Sequence, residues 1–185
     1  ETHPALAHHW TVSDDGKHYR FFLRNGIRFH DGLPFSSRDV AATLNRARSA
    51  ESVNPLRGLL SGISAVRTPD EWTVEIDLAQ PSADLPSILG LGNLVIMSPA
   101  AMADAAVHPV GTGPFRFVEW RKGDAIVLQR NEAYWGKPPA LDEVTFRIMP
   151  DATSALASLL AGDVDAYPNF PAPETLRQLE RDPRF

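Results

Sequence analysis

The 185-residue chain contains no cysteine. That excludes a disulfide framework, thiol catalysis and thiolate metal sites, while leaving the compartment open. It also lacks any apolar run long enough to cross a bilayer as a helix. No basic block or Lys/Arg stripe accompanies the net charge of −5. Phosphate binding needs clustered positive charge, so a nucleic-acid surface is excluded. Internal repeats and low-complexity tracts are absent too. What is present, 43% hydrophobic and 22% charged residues, describes an ordinary soluble globular protein with ample material for a core. The chain opens on Glu-Thr-His with neither initiator Met nor signal peptide and stops at Asp-Pro-Arg-Phe. Both ends are expected to be trimmed, so missing targeting signals do not fix a location.

The pattern along the chain is that of hairpins mixed with helices. Trp10–Val12 and Tyr19–Leu23 flank the turn Ser13-Asp14-Asp15-Gly16, with Phe22 breaking the alternation. The stretch RFHDGLPFSSRDVAATLNRA (28–47) joins an Asp31-Gly32 turn to Pro34 and then to Ser36-Ser37-Arg38-Asp39, the spacing of a capping box. Val40, Leu44 and Ala47 continue it as one apolar helical stripe. Ile63–Val66 and Trp72–Leu78 form the clearest hairpin, with Trp72, Val74, Ile76 and Leu78 on one face and Thr73, Glu75 and Asp77 on the other. The pattern then predicts a short helix in 82–89, a buried strand over Leu94–Met97 and a helix within Ser98–Ala106. After Gly111-Thr112-Gly113-Pro114 the pattern resets to a meander: Phe115–Trp120, a Lys122-Gly123-Asp124 turn, Ala125–Arg130, and a strand through Val144, Phe146 and Ile148. Asp151 caps a helix with Leu156, Leu159 and Leu160 on its apolar face and Gly162 at its end. A strand Val164–Tyr167 and a helix Pro173–Arg181 complete the prediction. Two modules result, 1–110 and 111–185.

Chemistry-bearing motifs are scarce. His3, His8 and His9 invite a metal reading, but their spacing matches no zinc motif, and His18, His30 and His108 are scattered. Gly90-Leu91-Gly92 lacks the rest of a dinucleotide fingerprint. Gly111-Thr112-Gly113-Pro114 has no Lys-Ser/Thr to follow it and reads as a tight bend rather than a phosphate loop. No serine sits in a nucleophile elbow. Tyr134 and Trp135 read as a core anchor whose polar atoms find partners nearby. No catalytic residue, cofactor or metal ligand is assigned.

Several motifs in order carry a resemblance. Ala7–Gly32, AHHWTVSDDGKHYRFFLRNGIRFHDG, with the LPFSSRDV that follows, is similar to the signature region of the extracellular solute-binding proteins of family 5. These are the oligopeptide, dipeptide and nickel receptors of bacterial ABC importers. Gly111-Thr112-Gly113-Pro114-Phe115, Asn131-x-x-Tyr134-Trp135-Gly136, and Pro150-Asp151 through Gly162-Asp163-Val164-Asp165 agree in the same order. The resemblance implies an α/β periplasmic binding protein-like II fold, incomplete here: a mixed α+β subdomain of the first lobe in 1–110, then a truncated part of that lobe's main sheet in 111–185.

It also implies a non-catalytic receptor. Such a protein binds a peptide-like or other small organic solute between two lobes and delivers it to a membrane permease of an ABC importer. The expected location is periplasmic or cell-surface, and the whole protein is expected to be a monomer. The expected ligand loops are Asn54-Pro55-Leu56-Arg57 and Leu91-Gly92-Asn93-Leu94, giving Asn54, Leu56, Arg57, Gly92 and Asn93 as candidate contacts. Relatives often carry an aromatic residue at the Leu56 position, and nickel receptors an arginine at the Gly92 position. Both departures favour an organic solute over the alternative, a nickel or metal-chelate receptor. Alternatives of other classes are a metal-dependent hydrolase using His3, His8 and His9, and a structural or signalling domain that borrowed this lobe.

Overall fold

Period-two alternation on adjacent strands builds the first sheet. In the computed structural model, which describes residues 2–167, β1 (Ala7–Val12) and β2 (His18–Leu23) form a hairpin, as do β3 (Ile63–Asp70) and β4 (Thr73–Leu78). They assemble in the order β1-β2-β4-β3, every neighbouring pair antiparallel. Gly16, at φ +67°, makes the first turn possible, and a Cβ there would also press on Pro81 at 3.3 Å. Tyr19, Phe21 and Leu23 of β2 and Val74, Ile76 and Leu78 of β4 are buried on one face. Phe22, on the other face, stacks on His9 with ring centroids 4.2 Å apart.

The face bearing Tyr19, Phe21, Val74 and Ile76 is covered by α1 (Ser37–Arg48), whose Leu44 and Ala47 are buried. Ile27, Phe29, Phe35, Leu60, Ile63, Leu85 and Leu94 complete the core. Each large side chain taken from water there contributes roughly 1.5–3 kcal/mol. The helix is pinned at both ends. Asp39 accepts from the Ser36 amide at 2.6 Å, Ser37 Oγ donates to Asp70 O at 2.6 Å, and the Arg48 guanidinium donates to Ile63 O at 2.9 Å. The strand-to-helix corner at 28–39 therefore ties the start of α1 to the β3–β4 turn.

The helices α2 (Arg57–Leu60) and α3 (Leu85–Leu89) are short, and a 3-10 turn spans Pro99–Ala101. Two expectations fail here. Leu94–Met97 is irregular rather than a strand, and within Ser98–Ala106 only that 3-10 turn forms, followed by further turns. The reason is where the amides go: Met97 N–H points to Thr43 Oγ1 at 3.3 Å and Ser98 N–H to Val110 O at 3.2 Å. Leu94 is buried, but Val95 is exposed, so the run does not sit inside a sheet.

A second sheet follows, with order β5-β6-β7 for β5 (Phe115–Arg121), β6 (Ala125–Arg130) and β7 (Glu143–Arg147). The helix α4 (Ala152–Ala161) starts where Asp151 Oδ1 accepts the Ser154 amide at 2.9 Å, and it ends at Gly162 with φ +79°. Leu159 is buried as expected; Leu156 and Leu160 are half-buried. Val164–Tyr167 forms no strand among the described residues. The helix expected over Pro173–Arg181 lies outside them. By contacts the chain divides into two units. One takes the described residues to Glu119 together with Leu128–Val144, and the other takes Trp120–Val127 and the described residues from Thr145 on.

Candidate functional site

Two loops of the first unit meet through one side chain. Asn54 accepts the Leu56 amide on Oδ1 at 2.8 Å, an Asx-type turn that leads into α2. Its Nδ2 donates to Asn93 O at 2.8 Å. The second loop is shaped by Leu94 N–H to Leu91 O at 2.9 Å, just beyond α3. Of the five sequence-predicted contacts, the structure thus brings Asn54 together with Asn93 and its neighbour Gly92. Gly92, Asn93 and Arg57 are exposed, whereas Leu56 is half-buried and packs against the core.

The Leu91–Leu94 loop borders a cavity of about 600 Å³ lying wholly within the first unit. Its wall is largely apolar and includes Trp10, Phe21, Ile76, Leu91, Val95 and Met97. His30 and Thr112 supply polar groups. The volume falls in the range of small-molecule sites, and an apolar wall with few polar groups is their usual composition. Sequence reasoning missed this cavity. Its one local signal was the apolar run Leu94–Met97, which lines the cavity instead of pairing as a strand.

The bend at Gly111–Pro114 and the aromatic stretch at 131–136 meet. Trp135 Nε1 donates to Thr112 O at 3.0 Å, Asn131 Nδ2 donates to Gly113 O at 3.1 Å, and Arg24 lies over the Trp135 ring at 5.5 Å. Trp135 is the anchor its sequence context suggests. Tyr134 packs beside it, ring centroids 5.1 Å apart.

The histidines at the start of the chain do not form a ligand set. His8 and His9 share a hydrogen bond between their Nδ1 atoms at 2.8 Å, and His3 lines the cavity. Among the described residues no group of three or more His, Asp or Glu is placed to hold a metal ion.

Charge is concentrated on the outer face of the first sheet instead. Arg20 pairs with Glu75 at 2.6 Å, Arg67 with both Glu75 and Asp77, and His18 with Asp77 at 2.8 Å. Arg20, then Arg67, holds the Glu75 carboxyl below its usual range. Arg67, then His18, does the same for Asp77. These groups satisfy one another across strands.

Comparison with known proteins gives the arrangement a context. A family model described as "Bacterial extracellular solute-binding proteins, family 5 Middle" matches residues 1–184. The glutathione-binding protein GsiB of Salmonella typhimurium is 35% identical over 170 residues, covering 89% of this chain and 33% of that protein. The dipeptide-binding protein of Escherichia coli K12 is 30% identical over 211 residues, 98% of this chain and 39% of that one. The structure of AgaA from A. tumefaciens R10, in complex with agropinic acid, superposes with a TM-score of 0.91 at 36% identity, over 97% of this chain and 37% of AgaA. The chain thus spans about a third of the length of the curated relatives it matches.

Proposed function

The chain belongs to the bacterial extracellular solute-binding proteins of family 5, and from that premise we propose that it is part of the receptor of an ABC-type importer. In this reading the whole protein binds a small organic solute between two lobes and presents it to a membrane permease outside the cytoplasm. Residues 1–110 are the extra subdomain of the first lobe, and 111–185 belong to that lobe's main sheet. The protein is a binding component without catalysis of its own, and it works as a monomer.

The Asn54–Asn93 tie carries the reading to particular residues, because it places two loops side by side on the surface of the first unit. Asn54, Leu56, Arg57, Gly92 and Asn93 are the proposed solute contacts. A peptide-like or amino-acid-derived solute is favoured. Relatives at 30% identity or more include proteins named for binding glutathione or a dipeptide, and structures solved with agropinic acid or with the peptide STSA. The mechanism follows from linkage. A receptor that samples open and closed forms is driven to the closed one by whatever extra affinity that form has for the solute.

The decisive experiment is native mass spectrometry of the intact protein, with identification of any co-purified solute and a thermal melt with and without it. A bound organic molecule that raises the melting temperature is expected; saturation at 100 times Kd corresponds to about 2.7 kcal/mol. An intact protein that stays empty and shows no thermal shift across peptide, opine and chelate panels would overturn the proposal.

A further inference from the structure

Gly111-Thr112-Gly113-Pro114 has the composition of a pliable link, since glycine backbones move at little steric cost. The structure shows the opposite. Five consecutive carbonyl oxygens, those of residues 110 to 114, each accept a hydrogen bond from a distant part of the chain. Ser98 N–H donates to Val110 O at 3.2 Å, His30 N–H to Gly111 O at 2.8 Å, and Asn131 N–H to Pro114 O at 2.8 Å. Trp135 Nε1–H donates to Thr112 O at 3.0 Å. Gly113 O receives two bonds, from Asn131 Nδ2 at 3.1 Å and His30 Nε2 at 3.0 Å.

His30 is the centre of this arrangement. A carbonyl oxygen only accepts, so the proton shared with Gly113 O sits on Nε2. The other ring nitrogen, Nδ1, faces the Gly111 N–H at 3.4 Å, where a lone pair is the complementary group. One donor contact and one acceptor contact match the Nε2–H tautomer, and the ring and amide together engage residues 111 and 113 from three atoms. Neither glycine is required by conformation, because neither has positive φ. Nor is either required for space: a Cβ on Gly111 would meet His30 Cε1 at 3.9 Å, and one on Gly113 would meet Phe115 O at 3.9 Å, both ordinary contacts.

We propose that residues 110–114 form a clamped strut rather than a hinge, held by His30, Asn131 and Trp135, with His30 as its central positioning residue in a fixed Nε2–H tautomer. Each bond alone is modest, but five acceptors fixed in a row leave the segment no independent rotation that does not break at least one of them. Conformational change on binding any ligand must then be taken up elsewhere, with this strut moving as part of a rigid body.

The test is independent of which solute is bound. Heteronuclear NMR of the imidazoles in the intact protein at neutral pH should show His30 with a protonated Nε2 and an unprotonated Nδ1, not the averaged shifts of exchanging tautomers. Hydrogen exchange should find the amides of His30, Ser98 and Asn131 among the protected ones. His30→Ala should speed exchange at the Gly111 amide by about three- to tenfold, the equilibrium value of a lost hydrogen bond, while leaving the amides of α4 unchanged. Gly111→Ala and Gly113→Ala should keep the protection of the His30, Ser98 and Asn131 amides and hold or slightly raise the melting temperature, as alanine does where a glycine's conformation suits it. Averaged imidazole shifts, rapid exchange at those three amides in the unaltered protein, or reduced protection in either glycine-to-alanine variant would each overturn the proposal. If His30→Ala does not fold, the unaltered protein and the glycine variants still decide it.

Discussion

The side-chain amide of Asn54 donates to the main-chain carbonyl of Asn93 across 39 positions of sequence, at 2.8 Å. The same side chain accepts the Leu56 amide, so one residue both shapes its own loop and fastens the neighbouring one. Asn54→Ala removes both bonds, and about 1–2 kcal/mol of stability should go with them. Asn54→Asp keeps the acceptor for Leu56 but loses the donor to Asn93. If the paired loops contact solute, calorimetric titration of the intact protein should show weaker binding in both variants. Stability should fall more in the alanine variant than in the aspartate one.

Asp39 is the second test. Its carboxylate accepts from both the amide and the hydroxyl of Ser36, at 2.6 and 3.1 Å, and so completes the start of α1. Asp39→Ala should cost about 0.5–2 kcal/mol in urea denaturation, the range for losing a helix-start partner. Because the same turn of helix is fastened to the β3–β4 turn through Ser37, an unusually small loss would mean that this docking alone sets the helix start.

The charged sheet face predicts an acid response with a definite sign. Glu75 and Asp77 titrate below the ordinary carboxylate range in the folded protein because Arg20 and Arg67 donate to them. A carboxyl whose folded value is depressed contributes its full stabilisation above the unfolded value, about 4, and loses it as pH falls through the folded value. Denaturation of the unaltered protein and of Asp77→Asn should therefore differ most at neutral pH and converge below the carboxylate range. A difference that grows on acidification would contradict the assignment.

Gly136 and Tyr134 form a steric pair. A Cβ at Gly136 would lie 2.7 Å from Tyr134 Cε1, well inside contact distance. Gly136→Ala should destabilise by about 1–3 kcal/mol, the usual cost of forcing a side chain out of its place. In a Tyr134→Ala background the same change should be close to neutral, so a double-mutant cycle should return a large coupling.

Features encoded by neighbours in sequence were legible beforehand. The inward set Tyr19, Phe21, Leu23 and the facing set Val74, Ile76, Leu78 follow from period-two alternation. The starts of α1 and α4 follow from Asp39 and Asp151, whose side chains reach amides three residues away. What failed depended on distant partners. Leu94–Met97 has the apolar content of a strand, yet its fate was decided by Thr43 and Val110. His30 read as one scattered histidine because Gly111 and Gly113, which give it a role, lie some eighty positions on. The candidate loops were placed by family resemblance; no local pattern announces that Asn54 reaches Asn93.

The ion pairs across β2, β4 and β3 also work as a ruler. Sliding β2 by two positions along β4 would keep every greasy side chain facing inward, so hydrophobicity alone does not forbid it. A slide one way would set Arg20 opposite Thr73; a slide the other way would set Arg20 opposite Asp77, but at the cost of Phe22 opposite Glu75 and His18 opposite Ala79. Either slide keeps at most one of the two charge matches of β2 with β4, whereas the observed alignment gives Glu75 to Arg20 and Asp77 to His18 at once, with Arg67 serving both.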